Sequence, residues 1–294
     1  MSPARPFPKS LLCFAALISF CLMSTAQSLA APTWTDITFP GADITVAYGI
    51  NNQGDIVGGY AISINDLHHG FLLRAGVYTT VDFPGSTQTD ISAINDNGAM
   101  VGTYFDTSFN YHGFLYDGVN FTTIDYPGFV GANVTTGINA AGEIVGAFAD
   151  NQGRAHGFTY ANGVYTAIDP PRSNFTIPSA IDSVGNIAGY FTNENTQYYD
   201  KGFVLTPNSS WLYVVFPGAK STETRGLNDK HQMVGLAGDG FGNVAAFIHR
   251  GSQFQIIAYP GATRTDAWGI NNTGMVVGSY ENSANTSHGF LRTP

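Results

Sequence analysis

The amino-acid sequence predicts an all-β fold, a six-bladed β-propeller with four antiparallel strands per blade, in which the N-terminal strand closes the last blade. Three observations predict it. One set of words recurs six times, with its central Asn or Asp at positions 51, 95, 139, 182, 228 and 271, spacings of 44, 44, 43, 46 and 43 residues. Each copy carries four short strand signals, and four strands per 40–50 residues is the signature of a propeller blade. The last copy stops after its third strand, while a spare strand stands at the beginning of the repeat region.

The words themselves justify each element. An aromatic-Pro-Gly tripeptide separates the copies at Phe39–Gly41, Phe83–Gly85, Tyr126–Gly128, Phe216–Gly218 and Tyr259–Gly261, with a degraded "DPPR" around Pro171. After it come strand A ("TDISAIN" in the second copy), a turn ("DNGA"), strand B ("MVGTYF"), a loop, strand C ("HGFLY"), a Gly turn and strand D ("FTTIDY"). These are β-branched and aromatic runs punctuated by Asn, Gly and Pro, with no sustained helical period. A small residue precedes each Ile-Asn word (Gly49, Ala93, Gly137, Ala180, Gly226, Gly269), which suits a crowded central axis and places A innermost and D outermost. The spare strand, Thr33–Phe39, is expected to pair with the C strand of the sixth copy, His288–Arg292, and to hide the sheet edges there.

The N-terminus reads as a secretory signal peptide: Arg5 and Lys9, an apolar run from Leu11 to Met23, then small residues, with cleavage after Ala26 or Ala30. The run is too short for a membrane span, and residues 31–294 form one propeller domain in this reading. Both cysteines, Cys13 and Cys21, lie in the leader, so a mature chain has no disulfide and no thiolate metal site. Without Arg5 and Lys9, ten of the twelve basic residues remain against twenty-one acidic ones, a net charge of −11. That balance argues against nucleic acid and anionic membranes as partners. The expected location is extracellular or periplasmic, and the expected state a monomer.

The pattern "PGAxxTxxxGINNxGxIVGxY…HGFLY…FTTIDxPG" resembles the HAF-repeat extracellular proteins of bacteria, over essentially all of residues 31–294. The resemblance implies secretion and a repeat architecture, and no activity or catalytic residues. Departures concentrate in copies four and five: "AID" at 180–182, His231 in place of the turn Gly, and "AAF" at 245–247 in place of "HGF".

A histidine and an aspartate travel together through the copies. His69, His112 and His156 open strand C, and Asp82, Asp125 and Asp169 follow thirteen residues later. Copies four and five lose both. In the sixth, His288 faces Thr38 on the spare strand. Pairing outward from the Asn162-Gly163 turn puts His156 opposite Asp169. A pair made three times is a staple for the outer hairpin rather than a catalytic dyad. The Asn-x-x-Gly words are turn chemistry. Ca²⁺ is the one cation they would suit, and they lack the carboxylates a calcium loop needs, so no cofactor is expected.

Function on a repeated scaffold sits where the repeat breaks. Strand A carries one nearly uniform row (Thr45, Thr89, Asn133, Thr176, Thr222, Thr265) and two irregular ones: Val46, Asp90, Val134, Ile177, Glu223, Asp266, and Tyr48, Ser92, Thr136, Ser179, Arg225, Trp268. Ring closure brings blades five, six and one together, and with them Glu223, Arg225, Asp266, Trp268 and Tyr48. Carboxylates, a guanidinium and two flat aromatics suit a sugar. Asp90, Glu223 and Asp266 are alternative ligands for a central cation. Tyr198 and Tyr199, in the long B–C loop of the fourth copy, are candidate contact residues. The leading expectation is a secreted, non-catalytic binding propeller for a glycan or an extracellular protein. The alternatives are a hydrolase or lyase of sugars or lactones with an acidic or cation-assisted central site, and an envelope or matrix scaffold.

Overall fold

Each copy of the repeat forms four consecutive antiparallel strands. The computed structural model describes residues 31–193, 199–284 and 286–294; the segment expected to be a signal peptide and the candidate contact residue Tyr198 lie outside the described residues. Strand β1 covers Thr33–Ile37; β2–β5 span residues 44–80, β6–β9 88–123, β10–β13 133–168, β14–β17 173–214, β18–β21 221–257 and β22–β24 264–293. The third and fourth sets count as one eight-stranded sheet only because Ala155 and Phe175 form a single parallel pair. A similar isolated bridge joins Tyr111 to Ala132. There are therefore six blades, and Pro32–Pro294 make one compact unit. Among the described residues no helix is long and apolar enough to cross a membrane.

The ring closes as the repeat arithmetic requires. Strand β1 pairs antiparallel with β24, from Thr33 opposite Thr293 to Ile37 opposite Gly289, so the sixth sheet reads β1-β24-β23-β22. The first strands of adjacent blades (β2, β6, β10, β14, β18, β22) contact one another all round the axis. A Cβ on Gly49 would lie 3.0 Å from the Ala93 Cα, which is why only the smallest residues precede the Ile-Asn word. Six apolar clusters, each drawn from two adjacent blades, hold the interfaces. The repeated phenylalanines Phe71, Phe114, Phe158, Phe203, Phe247 and Phe290 are fully buried, each the kind of burial that contributes about 1.5–3 kcal/mol.

The recurring polar residues bind the chain to itself. Phe39, Phe83, Tyr126, Phe216 and Tyr259 donate their backbone N–H to the side chains of Thr45, Thr89, Asn133, Thr222 and Thr265, which fixes the turn between blades. The His Nδ1 to Asp Oδ2 distance is 2.7 Å for His69–Asp82 and His112–Asp125 and 2.8 Å for His156–Asp169. The second oxygen of each aspartate accepts the N–H of the following glycine, Gly70, Gly113 or Gly157. Among the described residues the expected sixth hydrogen bond, between His288 and Thr38, is not made. His288 Nε2 lies instead 3.0 Å from Thr286 Oγ1 and 3.2 Å from Asn282 Nδ2; the Thr38 side chain is one atom shorter than an aspartate.

The Asn of the Ile-Asn word does more than make a turn. Its Oδ1 accepts two backbone N–H groups of its own turn, as Asn51 does from Gln53 and Asp55. Its Nδ2 donates to the backbone carbonyl of the same residue in the next blade: Asn51 to Asn95, Asn95 to Asn139, Asn139 to Asp182, Asn228 to Asn271, and Asn271 back to Asn51. The circle is interrupted at Asp182, which has no N–H to give. There Asp182 Oδ2 accepts from Asn186 Nδ2, the reverse of Asn51 Nδ2 donating to Asp55. Exchanging the two residues, Asp182→Asn with Asn186→Asp, supplies the missing donor and its local acceptor together. The double variant is expected to gain about 1 kcal/mol in chemical denaturation. The single Asp182→Asn variant is expected to gain less than the double variant, because Asn186 must first rotate its amide to present Oδ1, as Gln232 presents Oε1 to Asn228.

Candidate functional site

Strand A is where the blade departs from regular pairing. In every blade the A–B register shifts by one residue, between Ala47 and Gly49, Ile91 and Ala93, Thr135 and Gly137, Pro178 and Ala180, Thr224 and Gly226, and Ala267 and Gly269. The extra residues are Tyr48, Ser92, Thr136, Ser179, Arg225 and Trp268, the second irregular row. A bulge re-aims one side chain, and all six line an axial cavity of about 560 Å³. The facing glycine of strand B makes the bulge possible. A Cβ on Gly58 would stand 1.9 Å from the Val46 carbonyl oxygen, and the other five copies are as tight, at 1.9–2.3 Å.

The six bulged residues divide the cavity into unequal halves. On blades five, six and one they form a wall: the Arg225 guanidinium lies 3.7 Å from the centre of the Trp268 ring, and Trp268 meets Tyr48 edge to face at 5.2 Å. Glu223 accepts from Arg225 Nε and Nη2 at 3.0 and 2.7 Å and holds it there. On blades two to four the bulged residues are Ser92, Thr136 and Ser179, beside Val134, Ile177 and Tyr190. The cavity runs from His68, on the loop between strands B and C, and Tyr111, at the start of strand C, to the Asn turns at the opposite end.

Several polar atoms in this lining have no protein partner. Arg225 Nη1 is buried without an acceptor. Among the described residues no hydrogen bond is made by the hydroxyls of Tyr48, Ser92, Ser179 or Tyr190. Burial, reinforced by the Asp90 charge, pushes the Tyr48 hydroxyl well above its ordinary value; burial and Glu223 push Tyr190 up to about 12. Both phenols are therefore neutral hydrogen-bonding groups.

The predicted residues fare differently. Tyr48, Asp90, Arg225 and Trp268 line the cavity; Glu223 and Asp266 do not. Asp266 is buried against Arg264, whose Nε is 3.0 Å away. The three acids expected to share a cation are thus not brought together, since two are already neutralised by an arginine two residues away along their own strand. Among the described residues no three His, Cys, Asp or Glu side chains are placed to hold a metal ion. Tyr199 packs on the loop of blade five, with Lys220 Nζ 5.5 Å from its ring centre, and is not part of the cavity.

His68, which its scattered position in the sequence gave no reason to select, belongs to the site. It precedes the strand-C histidine in the first copy only, where the other copies have Tyr111, Ala155, Asp200, Val244 and Ser287. Its Nδ1 lies 3.2 Å from Asp90 Oδ1, across a blade boundary, and Gln88 Nε2 donates to the other Asp90 oxygen at 3.1 Å. Nε2 has no partner among the described residues. The bond to Asp90, against the opposing effect of burial, raises the His68 pKa. Asp200, the residue equivalent to His68 in the fourth copy, is raised by burial and by the neighbouring Glu223 charge.

No family model matches the chain, and no curated protein matches it. Solved structures do. A putative TolB from Agrobacterium tumefaciens superposes with a TM-score of 0.57 at 12% identity, over 85% of this chain and 90% of that one. A fucose-recognising fungal lectin of six-bladed propeller fold, from Aleuria aurantia, gives 0.53 at 14% identity, over 87% and 93%. A mutant of AofleA from Arthrobotrys oligospora gives 0.55 at 11% identity, over 89% and 86%. At these identities the likeness establishes the β-propeller fold.

Because the folded-state pKa of His68 lies above that of the unfolded chain, its bond to Asp90 contributes stability that is fully present below about pH 6.5 and is lost as the pH rises through the folded-state value. His68→Gln and Asp90→Asn should each flatten the fall in unfolding free energy between mildly acidic and mildly alkaline pH, measured by urea denaturation at a series of pH values. Slopes equal to wild type would exclude the bond as a source of that dependence.

Proposed function

We propose that this protein is a secreted, non-catalytic binding propeller that takes a neutral sugar unit of a glycan into its axial cavity. The observation that carries the reading is the ring of bulged side chains: an aromatic wall made by Trp268 and Tyr48, and partnerless donors and hydroxyls at Arg225, Tyr48, Ser92, Ser179 and Tyr190. A sugar offers an apolar face to the first and many oxygens to the second. The cavity volume, about 560 Å³, falls in the range of small-molecule sites. Neutrality follows from charge. Glu223 already compensates Arg225, so an acidic sugar would bring an unpaired charge into a partly buried site. Export fits the leader-like N-terminus, and the repeated words support a place beside the HAF-repeat proteins.

The test is a glycan array with wild type and Trp268→Ala. Wild type should retain neutral glycans, and the variant should bind them at least about tenfold more weakly, a loss of about 1.4 kcal/mol. No retained glycan would end the sugar reading in favour of a scaffold.

One observation favours a second reading, a sugar hydrolase. The His68–Asp90 pair is made once and stands in the cavity with Nε2 open, the arrangement that orients an imidazole to take a proton from water. Mass spectrometry of glycans incubated with the protein separates the two readings. A product formed by wild type and lost in His68→Gln, with binding retained, would make the protein an enzyme; unchanged glycan would leave it a binder.

A further inference from the structure

We infer a second, anion-binding site at the boundary of blades five and six, on the face opposite the His68 end of the cavity, built from Arg250 and Arg292 and suited to a small oxyanion of the phosphate or sulfate type. The topology places it there: both arginines lie at the C-terminal ends of C strands (β20, Val244–Arg250, and β24, Ser287–Thr293), on the side of the blade that carries the A–B turns.

Arg292 is only 5% exposed, and its Nη1 is fully buried with no acceptor. Among the described residues neither Arg292 nor Arg250 has a hydrogen-bond acceptor or a carboxylate partner. Its one favourable contact is with Trp34, whose ring centre is 5.9 Å from the guanidinium carbon. Burial and the nearby positive charge of Arg250 both weaken its hold on its proton. A buried, unpaired guanidinium beside a second cation is costly unless something negative sits between them.

Blade one contains the same position in a satisfied form. Arg74 corresponds to Arg250, and its Nε and Nη2 hold Asp55 Oδ2 at 3.0 and 2.9 Å. In blade five the residue at the Asp55 position is Gln232, whose Oε1 accepts from Asn228 Nδ2. The internal carboxylate has gone while the arginine has stayed. A Cβ on Gly274 would lie 3.7 Å from Gln232 Oε1 and 3.8 Å from Arg250 Nη2, so that turn brings the blade-five groups up to blade six. Two neighbouring guanidiniums with unpaired N–H groups would suit an oxyanion, which Arg binds through paired hydrogen bonds.

Thermal unfolding in inorganic phosphate, against chloride at equal ionic strength and pH, tests the site, because a ligand of the folded state raises Tm. Wild type should gain in phosphate over chloride, and Arg250→Gln should lose most of that gain, a reduction of at least about five-fold. Without phosphate Arg250→Gln should melt at or above wild type, since repulsion of Arg292 is relieved. Sulfate and acetate arms tell a tetrahedral oxyanion from a carboxylate. Equal gains in wild type and variant, or no gain over chloride, would overturn the site. Neither outcome touches the sugar reading, whose residues lie in the axial cavity.

Discussion

The close approach of strands A and B is the constraint on which the rest of the structure depends. In all six blades the strand-A carbonyl two residues before the bulge stands where the Cβ of any residue but glycine would be. Glycine there lets one strand-A residue slip out of register, and the slipped residue turns its side chain to the axis. The glycines at 58, 102, 146, 189, 235 and 278 therefore serve fold and site together. They make the inner strand fit the crowded centre, and they leave one freely variable side chain per blade pointing into a common space.

Around that constraint the polar network is distributed and redundant. The Asn residues join neighbouring blades at the turn end, the Thr row fixes the crossings, and the His–Asp pairs hold the outer hairpins. Where copies four and five have drifted, other contacts of the repeat persist. The Ser183 N–H donates to Asp229 at 2.8 Å, the same turn-to-turn bond that Asn52 makes to Asp96, so this link persists where the Asp182 side chain has no N–H to offer. Pro178 sits at the bulge of β14, where ladder pairing is already interrupted. Drift of this kind is tolerable because each interface has its own apolar cluster.

The blade count, the strand order and the closing strand were legible in the sequence, because a period of 43–46 residues carrying four β-runs has few other solutions. The candidate row Tyr48, Arg225 and Trp268 was legible for a different reason: it varies while its neighbours do not. What the row does was not legible, because a bulge is a register slip that no residue spells out. Glu223 and Asp266 were misplaced. Simple alternation puts them on the face of Arg225 and Trp268, and Asp90, Val134 and Ile177 of the same row do line the cavity; Glu223 and Asp266 are instead each held by an arginine on their own strand. His68 stayed hidden because its partner Asp90 lies on the next blade, twenty-two residues away, through a loop whose path the repeat does not fix.

The two halves of the cavity have different physical characters, and that difference bears on how it recognises a ligand. On blades five, six and one, Glu223 fixes Arg225, Arg225 covers a face of Trp268, and Trp268 abuts Tyr48. These side chains would lose much rotamer freedom on binding if they were free, and here that loss is already incurred in folding. The opposite half, with Ser92, Thr136 and Ser179, contributes short hydroxyls with little freedom to lose. A rigid aromatic wall facing small fixed hydroxyls would discriminate by shape and by hydrogen-bond placement. Glu223 and Asp266, each tied to an arginine two residues away on its own strand, stay out of the lining, whereas Asp90, Asp96, Asp182 and Asp229 give it acidic character.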